Sequence, residues 1–543
     1  MSDTCRSGGS SVADAAALRS VTTEAQALRH HAMVRPEHIA IHFNDRRITY
    51  AELDARASQV ACGISELGVE PGGRVGVLTK NSDEYFQLLF GLIRANRVAV
   101  PINWRLSATE IAYILRDSGT DTLFIGANFR KILDEVRAAT PALRNVIVLG
   151  DDVAPDGFAA WVNRPRDPAA WPLPVPASDD VMIQFYTSGT TGRPKGVQIT
   201  HWASRQMRLL EVGHSEHFAA WGPGDVAIMA LPNSHLSGTS WALQWFARGA
   251  TCVVQEQIDA GEFLRAIQDF RVTQLVAVPT VLLQMLDHPR RPETDLSGLK
   301  LIYYGSAPIS PQLLERSLKI FGNRFVQLYG MTETNGVLCY LDPRDHDLQR
   351  PHLLRSCGKP YPMVDLKIMG PDGVEMPTGQ IGEICVKSPS LMKGYWNLPG
   401  GGLSKLMWGQ YFRTGDGGYV DSDGYVYIVD RLKDMIVSGG ENIYPAEIES
   451  VARELPSVKD IAVIGVPDER WGEAVMAIVV RRDETLTEEK LLDFLRSRIG
   501  GFKVPKSIVF LDALPYNASG KVLKRELRDR YGKGQSIGYV ASR

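Results

Sequence analysis

At 543 residues, with 44% hydrophobic and 22% charged side chains, the chain has an ordinary globular composition and is too long for one ordinary core. Two or more domains are therefore expected. Sixty basic residues against 62 acidic ones give a formal net charge of -2, which speaks against both a nucleic-acid coat and a polybasic membrane patch. No run reaches the ~18 uninterrupted apolar residues that a spanning helix needs, and the opening MSDTCRSGGSS has no apolar signal core. The six cysteines (Cys5, Cys62, Cys252, Cys339, Cys357, Cys385) are scattered along the chain. Such spacing fits neither a disulfide framework nor a zinc site, and the expectation is a reducing, cytoplasmic setting.

Residues 1–20 are small and polar and read as a loose tail. Helical and strand-like runs then alternate. EYFQLLFGLIRANR (84–97) reads as a helix and VAVPIN (98–103) as a buried strand. SATEIAYILRDSG (107–119) reads as a helix capped by Ser107 and stopped by Gly119, followed by the short β-rich runs DTLFIG (121–126) and NVIVLG (145–150). Strands separated by helices of this length predict an α/β fold with βαβ units on largely parallel sheets.

The strand-like DVMIQF leads into YTSGTTGRPKG (186–196). Gly189, Gly192 and Gly196 let the backbone bring N–H groups close to an anion, and Thr187, Ser188, Thr190 and Thr191 offer hydroxyl donors beside the charge of Lys195. A polyphosphate loop is the chemical reading and a surface turn between strands the alternative. The stretch is not a P-loop, because no Ser or Thr follows the lysine.

Near residue 410 the texture changes. GYVDSDGYVYIVD (418–430) alternates and breaks at Asp423-Gly424, a hairpin signal. Asp421 and Asp423-Gly424 also look like part of a calcium loop, but the remaining ligands and the closing Glu are absent. Beyond it, a helix after Pro445, the strands DIAVIGV and EAVMAIVVR, the helix EEKLLDFLRSRIG and the strand SIVFL suffice for a small α+β domain of about 100 residues. The predicted division is a large domain over 21–430, a hinge over 431–434 and a small domain over 435–543. The hinge carries three charges and no glycine.

Four further stretches complete a set with the glycine-rich one: VQLYGMTETNG (326–336), YFRTGDGG (411–418), DRLKDMIVSGGENIYPAEIE (430–449) and LPYNASGKVLKREL (514–527). In this order and spacing they resemble the adenylate-forming superfamily, which includes acyl-CoA synthetases, peptide-synthetase adenylation domains and beetle luciferases. Within it, the chain is most similar to the acyl-CoA synthetases, or fatty-acid–CoA ligases. The resemblance runs from ITYAELDARASQVACGI (48–64) past Lys521. It implies a large N-terminal domain of βαβ-type sheets with helices and a small, mobile C-terminal α+β domain. It also implies two steps: a carboxylate attacks the α-phosphate of ATP to give an acyl-adenylate and pyrophosphate, and then the thiol of CoA displaces AMP.

The resemblance implies roles by position. Thr187 to Lys195, including Thr190, Thr191 and Lys195 near the β and γ phosphates, would hold the triphosphate. Glu333 would hold Mg2+, with Thr190 assisting, and Thr332 would touch the α-phosphate. Tyr329 would stack on adenine opposite Gly305, Ser306, Ala307 and Pro308, with Gln327 reaching the adenine amine and Gly330 and Met331 completing the motif. Asp416 would take the ribose hydroxyls, helped by Arg431. Lys521 would bridge the acid and the α-phosphate, as a compact movable charge suits. Lys433 falls at the hinge position. After rotation about it, Gly439-Gly440 would let pantetheine pass, while Phe502 and Lys503 would meet the CoA nucleotide.

The acid should lie within 201–336. His235 aligns with a histidine near the carboxylate, and Gly238 and Trp241 follow on the helix bordering the pocket, with Trp245 and Phe246 either lining it or packing in the core. His214 and His217 lack a third ligand for a metal, and NSHLSGTSW has no acid to hold an amino group. An apolar acid is expected, first a medium- or long-chain fatty acid and next an aryl or polycyclic, steroid-like one. Rival readings are an enzyme loading a carrier-protein thiol, a luciferase, and a nucleotide-binding protein without catalysis. No carrier domain follows Lys521, and the joint presence of Glu333, Asp416, Arg431 and Lys521 argues for catalysis. Expected partners are ATP, CoA and a small carboxylic acid, with no nucleic acid; a homodimer is left open.

Overall fold

The computed structural model of the protein describes residues 20–151, 154, 156–166, 171, 173–187, 194–212, 221–307, 309–398, 402–438, 441–468, 470–516 and 521–532. Local sequence sets many of its elements. Thr49 accepts from the Glu52 N–H while Glu52 accepts back from Thr49, a capping box that opens the helix Tyr50–Glu66. Ser107 and Glu110 do the same for Ala108–Ser118, and Gly119 ends that helix in the left-handed region at φ 69°. Each such cap is worth about 1 kcal/mol.

Four sheets form among the described residues. In the seven-stranded sheet, Asn145–Leu149, Thr122–Gly126, Arg74–Leu78, Val98–Pro101 and Val181–Thr187 run parallel, joined by helices. At its edge, Lys195–Thr200 turns back antiparallel on Val181–Thr187, and Gly394–Tyr395 adds to Lys195–Thr200. The nine-stranded sheet has a parallel centre and antiparallel margins; Leu301–Gly305 and Phe325–Met331 lie side by side in it. A third, antiparallel sheet contains the hairpin of Tyr411–Val420 with Val426–Arg431. At the tip of that hairpin, Gly424 has φ 82° and the Asp421 carboxylate accepts from the N–H groups of Asp423 and Tyr425. The aspartates there build a turn.

The strands from Ile436 onward form a fourth sheet with no strand from the other three. Its central pair, Val458–Asp468 and Gly472–Arg481, is buried on both faces. Ile461, Val463, Val475, Ala477 and Val479 enter one apolar cluster, while Ala462, Ile464, Met476, Ile478 and Val480 enter another. Neighbouring residues point to opposite faces of a strand, so continuous apolar runs are what a sheet covered on both sides requires. The large sheets share one extended core, in which Phe246 meets Phe86 and Phe90 edge-on. Architecture and predicted fold class agree.

Candidate active site

The glycine-rich stretch is held between two paired strands. Thr187 ends one and Lys195 opens the next, and the two residues are register partners. A strand, Lys195–Thr200, follows the stretch here, whereas a helix follows in a P-loop. Ser188, Gly189, Thr190, Thr191 and Gly192 lie outside the described residues. Lys195 projects its ammonium 5.1 Å from the ring centroid of Tyr395.

Tyr395 is a site residue that sequence reasoning missed. Its hydroxyl donates to Glu333 Oε1 at 2.7 Å, and the Met392 N–H donates to the Glu333 carbonyl at 2.9 Å. The segment 392–396 therefore ties the strand behind the glycine-rich loop to the 326–336 motif. Burial, and next the Glu333 carboxylate, push the Tyr395 phenol up, so it stays a donor. A Gly-Tyr pair carries no acid–base signature, and only the long-range pairing reveals its place.

Glu333 sits in a single 3-10 turn, Thr332–Thr334, just after the strand Phe325–Met331. Thr334 is buried and its hydroxyl accepts from the Met331 N–H, while Asn335 adopts φ 53°. Thr332 is half-buried beside it. With Glu333 only 8% exposed, one carboxylate oxygen is engaged by Tyr395. This donor set suits a magnesium ion that arrives with phosphates, which takes one or two protein carboxylates. Among the described residues no cluster of three His, Cys, Asp or Glu side chains forms a self-sufficient metal cage.

The strand that carries Gln327 and Tyr329 meets the hairpin of the third sheet at Asp416. The Tyr329 hydroxyl donates to Asp416 Oδ2 at 2.7 Å, and Arg431 Nε approaches Oδ1 at 2.6 Å. Asp416 and Arg431 are register partners, and Asp416 is 3% exposed. Below them, Glu383 accepts from Arg413 and from the Gly415 N–H, which stiffens the turn. Gln327 lies beside Tyr304 across the sheet, with the Tyr304 hydroxyl 3.5 Å from Gln327 Oε1. Gly305 is forced by close approach: a Cβ there would lie 2.4 Å from the Leu328 carbonyl oxygen. Ser306 turns the chain sharply at φ 64°, Ala307 is exposed, and Pro308 lies outside the described residues. Gly330 is exposed and Met331 half-buried at the end of their strand. Behind Tyr329, Cys339 and Cys357 come together as free thiols, and burial pushes Cys339 up.

His235 occupies the N-cap position of the helix Leu236–Ala247, and the Asn103 amide nitrogen lies 3.3 Å from its Nε2. Burial, then the charges of Lys521 and Arg105, pull its pKa down to about 4. Lys521, from the small fourth-sheet region, thus faces the large domain at His235. The structure bears on two sequence readings of the acyl pocket. Gly238 opens no space, because a Cβ there would lie 2.2 Å from the Pro232 carbonyl oxygen; its role is close packing of the helix on that turn. Trp245 and Phe246 are core residues, 1% and 0% exposed. Trp241, 7% exposed, packs on Trp221 and Tyr303, with centroids 5.3 and 4.9 Å away. This aromatic cluster lies between the helix that begins at His235 and the strand that ends at Gly305.

The residues expected to meet CoA are not gathered into one site. Lys503 is ion-paired with Glu447 at 2.7 Å, and Phe502 is 47% exposed. Gly439, Gly440, His214 and His217 lie outside the described residues, as does the side chain of Lys433 in the 3-10 turn Leu432–Asp434.

The family described as AMP-binding enzyme matches residues 28–396, and the family described as AMP-binding enzyme C-terminal domain matches 447–521. The chain belongs to the AMP-binding enzyme family. As a member it is an AMP-forming acyl-CoA synthetase, an acid–thiol ligase using ATP and CoA. It is 39% identical to the fatty acid–[acyl-carrier-protein] ligase ScoC of Streptomyces coeruleorubidus, over 94% of this chain and 96% of that one. It is 37% identical to the long-chain-fatty-acid–CoA ligase FadD13 of Mycobacterium tuberculosis, over 90% and 94%. The o-succinylbenzoate CoA synthetase MenE of Bacillus subtilis, solved with its acyl-adenylate, superposes with a TM-score of 0.82 at 30% identity, covering 94% of this chain and 99% of that one. No helix among the described residues is long and apolar enough to cross a membrane.

Proposed function

We propose that this acyl-CoA synthetase activates an apolar carboxylic acid, in first place a medium- or long-chain fatty acid. The observation that carries this reading is the buried aromatic cluster of Trp221, Trp241 and Tyr303 packed at the helix that follows His235, together with a segment (231–251) that has no acidic side chain to hold an amino group. Likeness to FadD13 supports the same class.

In the proposed reaction the loop from Thr187 to Lys195 holds the β and γ phosphates, Asp416 and Arg431 take the ribose, and Tyr329 and the 305–308 turn flank adenine. Thr332 contacts the α-phosphate. Glu333 would hold a magnesium ion that arrives with the phosphates, and the ion would supply positive charge where the acid meets the triphosphate. Lys521 bridges the acid carboxylate and the α-phosphate, and neutral His235 borders the carboxylate. The small domain, 435–543, then turns about 431–434 with Lys433 as pivot, and Gly439-Gly440, Phe502 and Lys503 receive CoA. The free thiols among the described cysteines support a reducing, cytoplasmic compartment.

The test is a pooled incubation with ATP, magnesium and fatty, aryl and polycyclic acids, with and without CoA, read by mass spectrometry. A fatty acyl-CoA that forms only with CoA is expected. Aryl or polycyclic thioesters alone would overturn the acid class. A second reading, loading of a carrier-protein thiol, is favoured by the likeness to ScoC; adenylates that pass to a pantetheinylated carrier protein but not to CoA would establish it.

A further inference from the structure

We infer that Asp430 is a positioning residue that selects the adenylating orientation of the small domain, by capping one of its helices across the hinge. The inference rests on the reading above, in which residues from 435 on turn about Lys433.

Asp430 belongs to the large domain by its pairing: it sits in the strand Val426–Arg431, opposite Gly417. The next residue, Arg431, reaches Asp416 at the proposed ribose site. Successive strand residues face opposite ways, so Asp430 looks away from that site, towards the small domain. There its Oδ2 accepts from the Ala446 N–H at 2.7 Å, while Oδ1 accepts from the Arg431 N–H at 2.6 Å.

Ala446 is the second residue of the helix Pro445–Ala452, whose own N-cap, Tyr444, makes no side-chain cap bond. The first turn of a helix leaves N–H groups without partners and carries partial positive charge. Asp430 supplies the missing cap from the other domain.

A half-buried ammonium adds to the contact. Lys524 lies 2.7 Å from Glu449 Oε1 of the same helix, the two side chains being 15% and 10% exposed. Burial pushes the Asp430 carboxyl up, and the Lys524 charge is the largest influence pulling it back down, so the two face each other across the junction. Glu449 Oε1 is held by the Val463 N–H at 2.8 Å, and Arg528 holds Asp434 at 2.7 Å, which fixes this side of the hinge to the small domain.

In the same orientation Lys521 faces His235. A turn that withdraws Lys521 also withdraws Ala446 and Lys524 from Asp430. It leaves the helix uncapped and Asp430 with the Arg431 N–H but without Ala446 and Lys524. Contacts made in one of two orientations bias their equilibrium by their own free energy.

The two half-reactions separate this role from a general structural one. ATP–pyrophosphate exchange with dodecanoic acid reads adenylation, and dodecanoyl-adenylate supplied with CoA reads thioester formation. Asp430→Ala should slow exchange about tenfold and leave thioester formation within about twofold. Asp430→Asn, which keeps an acceptor for Ala446 and loses the charge facing Lys524, should fall between. Equal losses in both half-reactions, or unchanged exchange, overturn the inference. Hydrogen exchange at the Ala446 amide judges it independently of chemistry. Asp430→Ala should speed that exchange about tenfold, and an unchanged rate overturns the inference even if dodecanoate proves not to be a substrate.

Discussion

Lys521 and Tyr395 divide the charge problem of the proposed chemistry between them. An acid carboxylate approaching a triphosphate needs positive charge where the two anions meet, and donors fixed before the reaction starts. Lys521 is the movable charge, and its substitution should separate the steps. Lys521→Ala is expected to lower adenylation about 100-fold while thioester formation from supplied acyl-adenylate continues; half-reaction assays decide this. Tyr395 is a fixed donor. Tyr395→Phe removes the hydrogen bond to Glu333 and leaves the ring under Lys195. A charge-assisted bond of that kind is worth ~1.5–3 kcal/mol, so the KM for magnesium-ATP should rise about tenfold or more. The melting temperature should stay within about 2 °C, since the change loses no packed volume. A magnesium titration at fixed ATP, with a melting curve beside it, checks both parts.

Elements meet at the site by close approach of backbone, and glycine is the residue that permits it. Gly238 lets the helix Leu236–Ala247 rest on the Pro232 carbonyl. Gly238→Ala puts a methyl group 2.2 Å from that oxygen, and overpacking of this kind costs about 1–3 kcal/mol. Urea unfolding should register the loss. Because His235 sits at the N-terminal end of this helix, the KM for the acid should rise as well. A gain in activity towards bulkier acids would contradict the assignment of Gly238 to packing. The sequence places Gly238 at the pocket border, but it cannot show the carbonyl that occupies the place of the missing side chain.

At the scale of the whole molecule, stability should be sensitive to mild acid. His201, His235 and His346 are each lowered by burial from the ordinary 6.5 to about 4. When unfolded they bind protons near 6.5, and when folded only near 4. Between these values the unfolded state holds more protons, so stability falls as pH drops through the window and is insensitive to these groups above it. Thermal melting should be level between pH 7 and 8 and decline steadily from about 6.5 towards 4. A profile that stays level to pH 5 would show that these rings are protonated in the folded protein or already solvated. The same arrangement keeps His235 neutral at working pH, so no step in adenylation between pH 6 and 8 should trace to it.

The elements themselves were legible because their signals are local. The cap at Ser107, the stop at Gly119 and the turn at Asp423-Gly424 depend on residues within four positions of each other, and the structure forms all of them. The apolar runs DIAVIGV and EAVMAIVVR read as strands, and the structure buries them on both faces of one sheet. Family membership was legible too, since the motifs are short and ordered along the chain. What the chain alone left open depends on pairs far apart in sequence. Tyr395 with Glu333, Asn103 with His235, Cys339 with Cys357, and Asp430 with Ala446 have no joint signature, because each contact exists only after strands and helices settle against one another. Whether a tryptophan lines a pocket or fills a core likewise depends on its neighbours in space. Trp241 and Trp245 lie one helical turn apart on a single helix, and only tertiary packing shows that both are buried against Trp221.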